Sequence, residues 1–293
     1  MASASPAAGR GVIRDHRGEP VAGYADYQFY AEREYWERRY VTDRAREIAS
    51  GARADGNDEQ PYEWWCGAAQ LLPLLDLLLP DRATQRAILD IGCGTSSLLT
   101  GLHRAGFTGA FTGVDFSTSA IRICREEAAK QRRRGHESEV EIAGNEPPTF
   151  LVGDASNLLP LGIASGSQDV VIEKGTISGV ISSPDGERLA ARILREVHRV
   201  LKDEGGMFIS IQCEDPNDED ISKNGIVVLE ELILPPLLEA GRASLHYYTV
   251  DIHSSETFRG CHVYVLRKKR QARTRAALRG ERTVETVVRL HEH

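Results

Sequence analysis

An open α/β fold, a mostly parallel sheet with helices on both faces, is predicted by three features of this chain. Seven short apolar segments read as strands, and most alternate with stretches of helical periodicity, a pattern that implies right-handed crossovers between parallel strands. The first, Ile88-Leu89-Asp90-Ile91, runs into Gly92-Cys93-Gly94-Thr95-Ser96, a glycine turn that opens a helix. The strands that follow deliver polar residues to their carboxyl ends, where open α/β sheets bind ligands.

The elements follow in order. Residues 1–23 are small, glycine-bearing and charged, a composition expected to be disordered. Helical pattern runs from Tyr24 to about Ser50, then a polar loop, Gly51 to Gln60, then a helix from about Cys66 to Leu79. After the first strand, Ser96 or Ser97 can cap a helix whose apolar positions are Leu98, Leu99 and Leu102. Gly109 to Asp115 is the second strand, and Ile121, Ile123, Cys124 and Ala128 continue as helix. Arg134 to Pro148 reads as a surface loop before the third strand, Thr149 to Val152, and Gln168 to Lys174 is the fourth. Asp185 is expected to cap a helix with Leu189, Ile193, Leu194, Val197 and Leu201 on one face. Gly206 to Gln212 is the fifth strand. Beyond a polar loop, Glu214 to Asn224, a helical region near Val227 to Ala240 is expected to be kinked or interrupted at Pro235-Pro236. Ser244 to His253 and Cys261 to Leu266 alternate and can pair antiparallel, which makes residues 24–268 one domain followed by a tail, 269–293.

Composition narrows the class. The 293 residues are 41% hydrophobic and 27% charged, as in a soluble globular protein. The longest apolar stretch, Leu71 to Leu79, is broken by Pro73 and Asp76 and falls short of the roughly 20 residues that span a bilayer, so no membrane partner is expected. No signal-peptide stretch opens the chain, and Asp15 and Glu19 argue against reading Arg10, Arg14 and Arg17 as a transit peptide, which leaves the cytoplasm. The five cysteines form no Cys-x-x-Cys pair, the nine histidines do not cluster with acids, and His291-Glu292-His293 reads as solvated chain end, so no metal site is expected. Cys93 reads as small packing volume rather than as a nucleophile. From Arg267 to His293, nine Lys or Arg face three Glu, whereas the whole chain carries −7. That basic end reads as solvated chain, and the acidic body argues against a specific nucleic-acid partner.

Four strand ends point at one crevice. A third glycine at position 97 would suit a dinucleotide; serine there suits a ligand without a diphosphate. Asp115 lies about 20 residues beyond the glycine turn, where an acid binds ribose hydroxyls, although it can equally punctuate a strand end. Asp154 is placed to bond an adenine amino group, with Ala155 over the ring, and Glu173 and Lys174 reach the same edge. The Asp-x-Gly-x-Gly form, Asp90, Gly92 and Gly94, resembles motif I of class I S-adenosylmethionine (SAM) methyltransferases.

Three longer segments make the resemblance more specific. Glu173-Lys174-Gly175-Thr176, Tyr35-Trp36-Glu37-Arg38-Arg39-Tyr40 and Pro61-Tyr62-Glu63-Trp64-Trp65 are similar to signatures of the methyltransferase-like family that contains the elongation factor 1-alpha lysine methyltransferases. Cys261 to Lys268 resembles that family's last strand. The resemblance implies a Rossmann-like seven-stranded sheet with an antiparallel last strand, SAM as cofactor, and a protein substrate such as elongation factor 1-alpha. It nominates Trp36, Tyr40, Trp64, Gly92, Asp115, Phe116, Asp154, Ala155 and Lys174 as cofactor-binding residues. Trp36 and Tyr40 share a helix face, and two readings stand: aromatic rings beside a sulfonium cation, or a staple of the first helix to the core. Where the family continues Leu-Asp after Gly-Thr, this chain has Ile177-Ser178, which puts the substrate in doubt.

The reaction implied is direct displacement, with the protein aligning an amine on the sulfonium methyl. A lysine amine must first lose its proton, at a cost of about 4–5 kcal/mol at pH 7. Glu173 is the carboxylate nominated to orient the substrate or take that proton, with support of the strand end as its other reading. A small-molecule methyltransferase and a catalytically silent SAM-binding scaffold are the alternatives. A monomer is expected.

Overall fold

The computed structural model describes residues 13–14, 20–21, 29–49, 63, 66–135, 146–219, 224–242, 245–258, 260–270 and 288–292. Two short strands, β1 (Ile13–Arg14) and β2 (Pro20–Val21), pair antiparallel. The rest of the segment expected to be disordered lies outside the described residues, as do Trp64 and residues 271–287 of the basic tail. Helices α1 (Arg33–Ala49) and α2 (Ala68–Leu78) lead into an alternating run: β3 (Arg86–Ile91), α3 (Leu98–Arg104), β4 (Gly109–Asp115), α4 (Thr118–Gly135), β5 (Thr149–Val152), β6 (Val170–Lys174), α5 (Thr176–Ile181), α6 (Gly186–Val200) and β7 (Met207–Gln212). The chain closes with α7 (Gly225–Val228), α8 (Leu234–Gly241), β8 (His246–Ser254), β9 (His262–Arg270) and β10 (Val288–Glu292). The helical region read as interrupted at Pro235-Pro236 is broken just upstream, by a π-turn at Leu229–Ile233, and both prolines fall in the first turn of α8, where a missing N–H costs no bond.

The main sheet has the order β10-β8-β9-β7-β6-β3-β4-β5. It is parallel from β7 to β5, and β9 inserts antiparallel between β7 and β8. Eight strands therefore stand where seven were expected. The additional one, β10, pairs parallel with β8 from Val288 opposite Val250 to Glu292 opposite Ser254. His291, read as solvated chain end, instead stacks on His253 at 4.7 Å between ring centroids and lies 3.2 Å from Asp251 Oδ1. A five-residue edge strand inside a basic tail carries too little apolar pattern to be read without its partner β8.

β3 is the switch point: the chain leaves it outward through β4 and β5, then returns to lay β6 and β7 on its other side. Crossovers diverge there and open a crevice at the carboxyl ends of β3 and β6. Both sheet faces are covered. Ile88 faces a core with Leu71, Leu98 and Phe111, while Leu89 and Ile91 face one with Ile193, Leu194 and Leu237. Every residue of β7 is buried, including the polar Ser210 and Gln212 among its apolar neighbours. Each such Leu or Ile contributes roughly 1.5–3 kcal/mol by leaving water.

The local helix caps read from sequence are only partly used. Ser96 Oγ accepts from Leu98 N at 3.1 Å, but neither Ser97 nor Asp185 caps its helix with its side chain. Glutamates supplied from elsewhere hold the helix starts. Glu37 on α1 accepts from Thr118 N and Ser119 N at 2.6 and 3.0 Å, and Glu173 accepts from Thr176 N and Ile177 N at 2.9 and 3.1 Å. A carboxylate at a helix N-terminus satisfies orphan N–H groups and meets the positive end of the dipole.

At the far end of α6, Lys268 Nζ donates to His198 O and Leu201 O at 2.9 and 3.0 Å and pairs with Asp203. His198 Nδ1 lies 2.9 Å from Tyr248 Oη in the same buried cluster. Burial, then the nearby Lys268 charge and His246, push His198 down to about 4. A histidine held neutral when folded, with an unfolded value near 6.5, contributes stability that is complete above pH 6.5 and is lost as pH falls toward 4. His198→Gln is therefore expected to flatten the decline of the melting temperature between pH 7 and pH 5; an unchanged slope would remove His198 from this role.

Candidate active site

The glycine turn sits at the carboxyl end of β3, where Gly92 and Gly94 take φ values of +65° and +53°. Glycine in such a turn lets a ligand approach the backbone closely, and the structure gives these two a second reason. A Cβ at Gly92 would stand 2.1 Å from Thr176 Oγ1, and one at Gly94 would stand 2.6 Å from Tyr40 Oη. The turn is thus clamped by α5 from one side and α1 from the other. Thr176 Oγ1 donates to Ile91 O at 3.0 Å, which holds the start of α5 on the β3 end.

Asp115, at the end of β4, is buried and bridges two backbone groups: Oδ2 accepts from Gly94 N at 2.8 Å and Oδ1 from Ser117 N at 2.7 Å. Each carboxylate oxygen keeps a second lone pair for a ligand. Burial pushes Asp115 up to about 6. Asp90 is buried on β3, two positions before Gly92, and burial pushes its carboxyl up to about 8, opposed by Lys174. Glu173 is fully buried and is pushed up to about 7 by burial, against a hydrogen bond from Ser210 and its bonds to α5. Its carboxylate is occupied by Thr176 N, Ile177 N and Ser210 Oγ, so the geometry favours support of the strand end over proton transfer.

Tyr40 is buried beside this turn, and Trp36 stacks on it with centroids 5.4 Å apart and ring planes 26° apart. The pair packs against Ala120 and Ile123 on α4. The staple reading is the one the packing shows: the rings hold α1 to the core, with Tyr40 Oη beside the glycine turn. Phe116 is half-buried at the tip of β4, and Ala155 is half-buried and Asp154 exposed beyond β5, whose end joins β4 through Gly153 N to Asp115 O at 2.9 Å. Trp64 lies outside the described residues.

Lys174 is held by the segment that precedes α2. Its Nζ is 2.5 Å from Glu63 Oε2 and donates to Cys66 O at 3.0 Å, with both charged side chains under a tenth exposed. Glu63 also accepts from Ser97 N at 2.6 Å and from the Ser96 and Ser97 hydroxyls. The structure thus adds Glu63 and Glu37, both inside segments singled out from sequence, where the aromatic residues drew the assignment. Cys93 is buried, and its hydrogen bond with Cys124 together with burial holds its thiol well above the ordinary value, which agrees with packing rather than nucleophilic attack.

Asp90, Asp115 and Glu173 crowd one crevice, and a cationic ligand would draw the accessible ones back toward the charged form. Binding such a ligand is expected to release protons, so affinity should rise with pH between about 6 and 8. Calorimetry in buffers of different ionisation enthalpy measures that release, and a pH-independent affinity would show the carboxylates to be uninvolved.

A doubly covered parallel sheet with a glycine turn and an acidic residue at the next strand end defines a nucleotide-cofactor-binding α/β domain. Residues 84–242 match the methyltransferase domain model, over half of the chain, and the chain belongs to that family. It is 30% identical over 196 residues to EEF1A lysine methyltransferase 4 of Mus musculus and 32% identical over 196 residues to that of Bos taurus, covering 64% of this chain and 63% of each relative. It is 29% identical over 204 residues to the mitochondrial citrate synthase-lysine N-methyltransferase CSKMT of Homo sapiens, covering 68% of this chain and 77% of that protein. The chain therefore spans less than two thirds of the length of EEF1A lysine methyltransferase 4.

Proposed function

We propose that this protein is a SAM-dependent protein-lysine N-methyltransferase acting on a translation factor such as elongation factor 1-alpha. The observation that carries the reading is a crevice lined by buried carboxylates and bordered by a stacked aromatic pair, which suits a cationic nucleoside. When bound, SAM supplies a methyl group on a cationic sulfonium. Asp115 offers its remaining lone pairs to ribose hydroxyls, Asp90 offers an acceptor to an ammonium, and Trp36 with Tyr40 borders the cation, an arrangement worth roughly 0.5–2 kcal/mol. Phe116 and Ala155 flank an adenine, and Asp154 accepts from its amino group. Lys174 acts through Glu63 by holding the crevice edge, and Glu173 acts by holding α5. Burial beside aromatic rings favours the neutral form of an incoming lysine, which must present a lone pair to the methyl carbon.

Lysine specificity is supported by the names of the relatives, two of which act on a translation factor and one on citrate synthase. We place the protein in the cytosol as a monomer without a nucleic-acid partner; no helix among the described residues is long and apolar enough to cross a membrane. The test is incubation of the purified protein with radiolabelled SAM and a cytosolic extract, with Asp115→Ala as control. A labelled band the size of elongation factor 1-alpha, yielding methyl-lysine on hydrolysis, is expected, with loss of SAM binding in the folded Asp115→Ala protein. Label confined to small molecules would overturn the protein substrate, and unchanged SAM affinity in Asp115→Ala would overturn the cofactor site.

A further inference from the structure

The carboxyl end of β7 carries polar groups that the cofactor crevice does not use. Ser210 and Gln212 are spaced by two on β7 and so project to one side of it, and Glu214 follows just beyond the strand end. Two contacts identify that side as the one facing α5. Ser210 Oγ donates to Glu173 Oε1, whose other oxygen holds Thr176 N and Ile177 N, and Ser178 Oγ donates to Glu214 Oε2 at 3.2 Å. Gln212 lies between these two tethers. Its amide orientation follows from the donors: above about pH 7, where Glu173 is ionised, the Ser210 proton is committed to the carboxylate, so Ser210 Oγ accepts from Gln212 Nε2 at 2.6 Å. That leaves Gln212 Oε1 as the remaining acceptor, and it is fully buried with no hydrogen-bond partner among the described residues.

A buried acceptor without a donor costs about 1–3 kcal/mol, a penalty that a ligand N–H can relieve. Beside it, the half-buried Glu214 carboxylate accepts from Ser178 and from groups of Cys213, and burial raises its pKa. The row is linked to the glycine turn through Thr176, which contacts both Ile91 O and the space above Gly92. We propose that Gln212 Oε1 and the Glu214 carboxylate form the receiving site for the substrate's primary amine, holding its N–H groups so that the nitrogen lone pair faces the cofactor crevice. The proposal deepens the methyltransferase reading and rests on it. It also accounts for the serine at position 178: Ser178 supplies no charge itself and instead orients a carboxylate brought from β7.

The experiment compares two ligands by calorimetry on the full chain: a nitrogen analogue of S-adenosylhomocysteine bearing an aminoethyl chain in place of the transferable methyl, which puts an amine where the substrate nitrogen attacks, and its propyl counterpart. The aminoethyl compound is expected to bind the wild-type protein at least tenfold more tightly than the propyl compound. Glu214→Gln is expected to remove most of that ratio and Glu214→Asp to retain part of it, with S-adenosylhomocysteine affinity unchanged in both. Gln212→Leu, which fills the same space without the acceptor, is expected to lower the ratio as well. If Glu214→Gln fails to fold, Ser178→Ala serves in its place, with a partial loss of the ratio. Equal ratios in wild type and variants, or no amine preference in the wild type, would overturn the proposal. Absence of S-adenosylhomocysteine binding to the wild type would overturn the cofactor reading beneath it, a distinct result.

Discussion

Lys174→Met is expected to destabilise the protein by about 3–5 kcal/mol, because it leaves the Glu63 carboxylate buried without its cation. The two groups are 2.5 Å apart, and their side chains are 6% and 8% exposed, so water does little to screen the loss. The damage extends into the crevice, since Lys174 is the charge that opposes the rise of the Asp90 carboxyl. Asp90 would then hold its proton to still higher pH and offer a weaker site to a cation. The double variant Glu63→Gln/Lys174→Met removes both charges and keeps an acceptor for Ser97 N. It is expected to recover at least half of the lost stability in urea unfolding. A Lys174→Met protein as stable as the wild type would show that Glu63 finds water instead and that the pair is not a structural element.

Gly92→Ala is the second large effect. Alanine at φ +65° costs about 1–3 kcal/mol in backbone strain, and its Cβ would meet Thr176 Oγ1 at 2.1 Å and Thr176 Cγ2 at 2.7 Å. Overpacking of this kind typically costs a further 1–3 kcal/mol. Thr176 would have to leave Ile91 O, taking with it the start of α5 and the Glu173 bonds that hold it. SAM affinity is expected to fall more than tenfold, together with a lower midpoint in chemical denaturation. Adding Thr176→Ala removes the two closest atoms and is expected to restore the packing part of the stability but not the backbone part. Full stability in Gly92→Ala alone would mean that the turn moves freely, and the clamp between α1 and α5 would lose its basis.

Much of the site was legible because it lies at strand ends, where short sequence intervals translate directly into position. Asp90, Gly92 and Gly94 are within one turn, and Asp115 follows one crossover later on the adjacent strand. Glu173 was legible as a strand-end carboxylate but not as a helix support, since that depends on Ser210 from β7 and on the direction taken by α5. Glu63 was hidden for a related reason: it acts 33 and 111 residues away, on Ser96 and Lys174, and nothing local marks a half-buried glutamate as a clamp.

By itself the sequence determined the alternating order of strands and helices, the parallel body of the sheet, the glycine turn and the carboxylates beyond it. All of these follow from hydrophobic period and from backbone conformations that only certain residues tolerate. Tertiary structure alone decided the insertion of β9 between β7 and β8, the docking of β10 as an eighth strand, and which glutamate caps which helix. It also decided that Gln212 Oε1 has no partner among the described residues beside Glu214. Hydrogen bonds between distant segments obey distance and burial in the folded chain, and those quantities have no counterpart in local spacing.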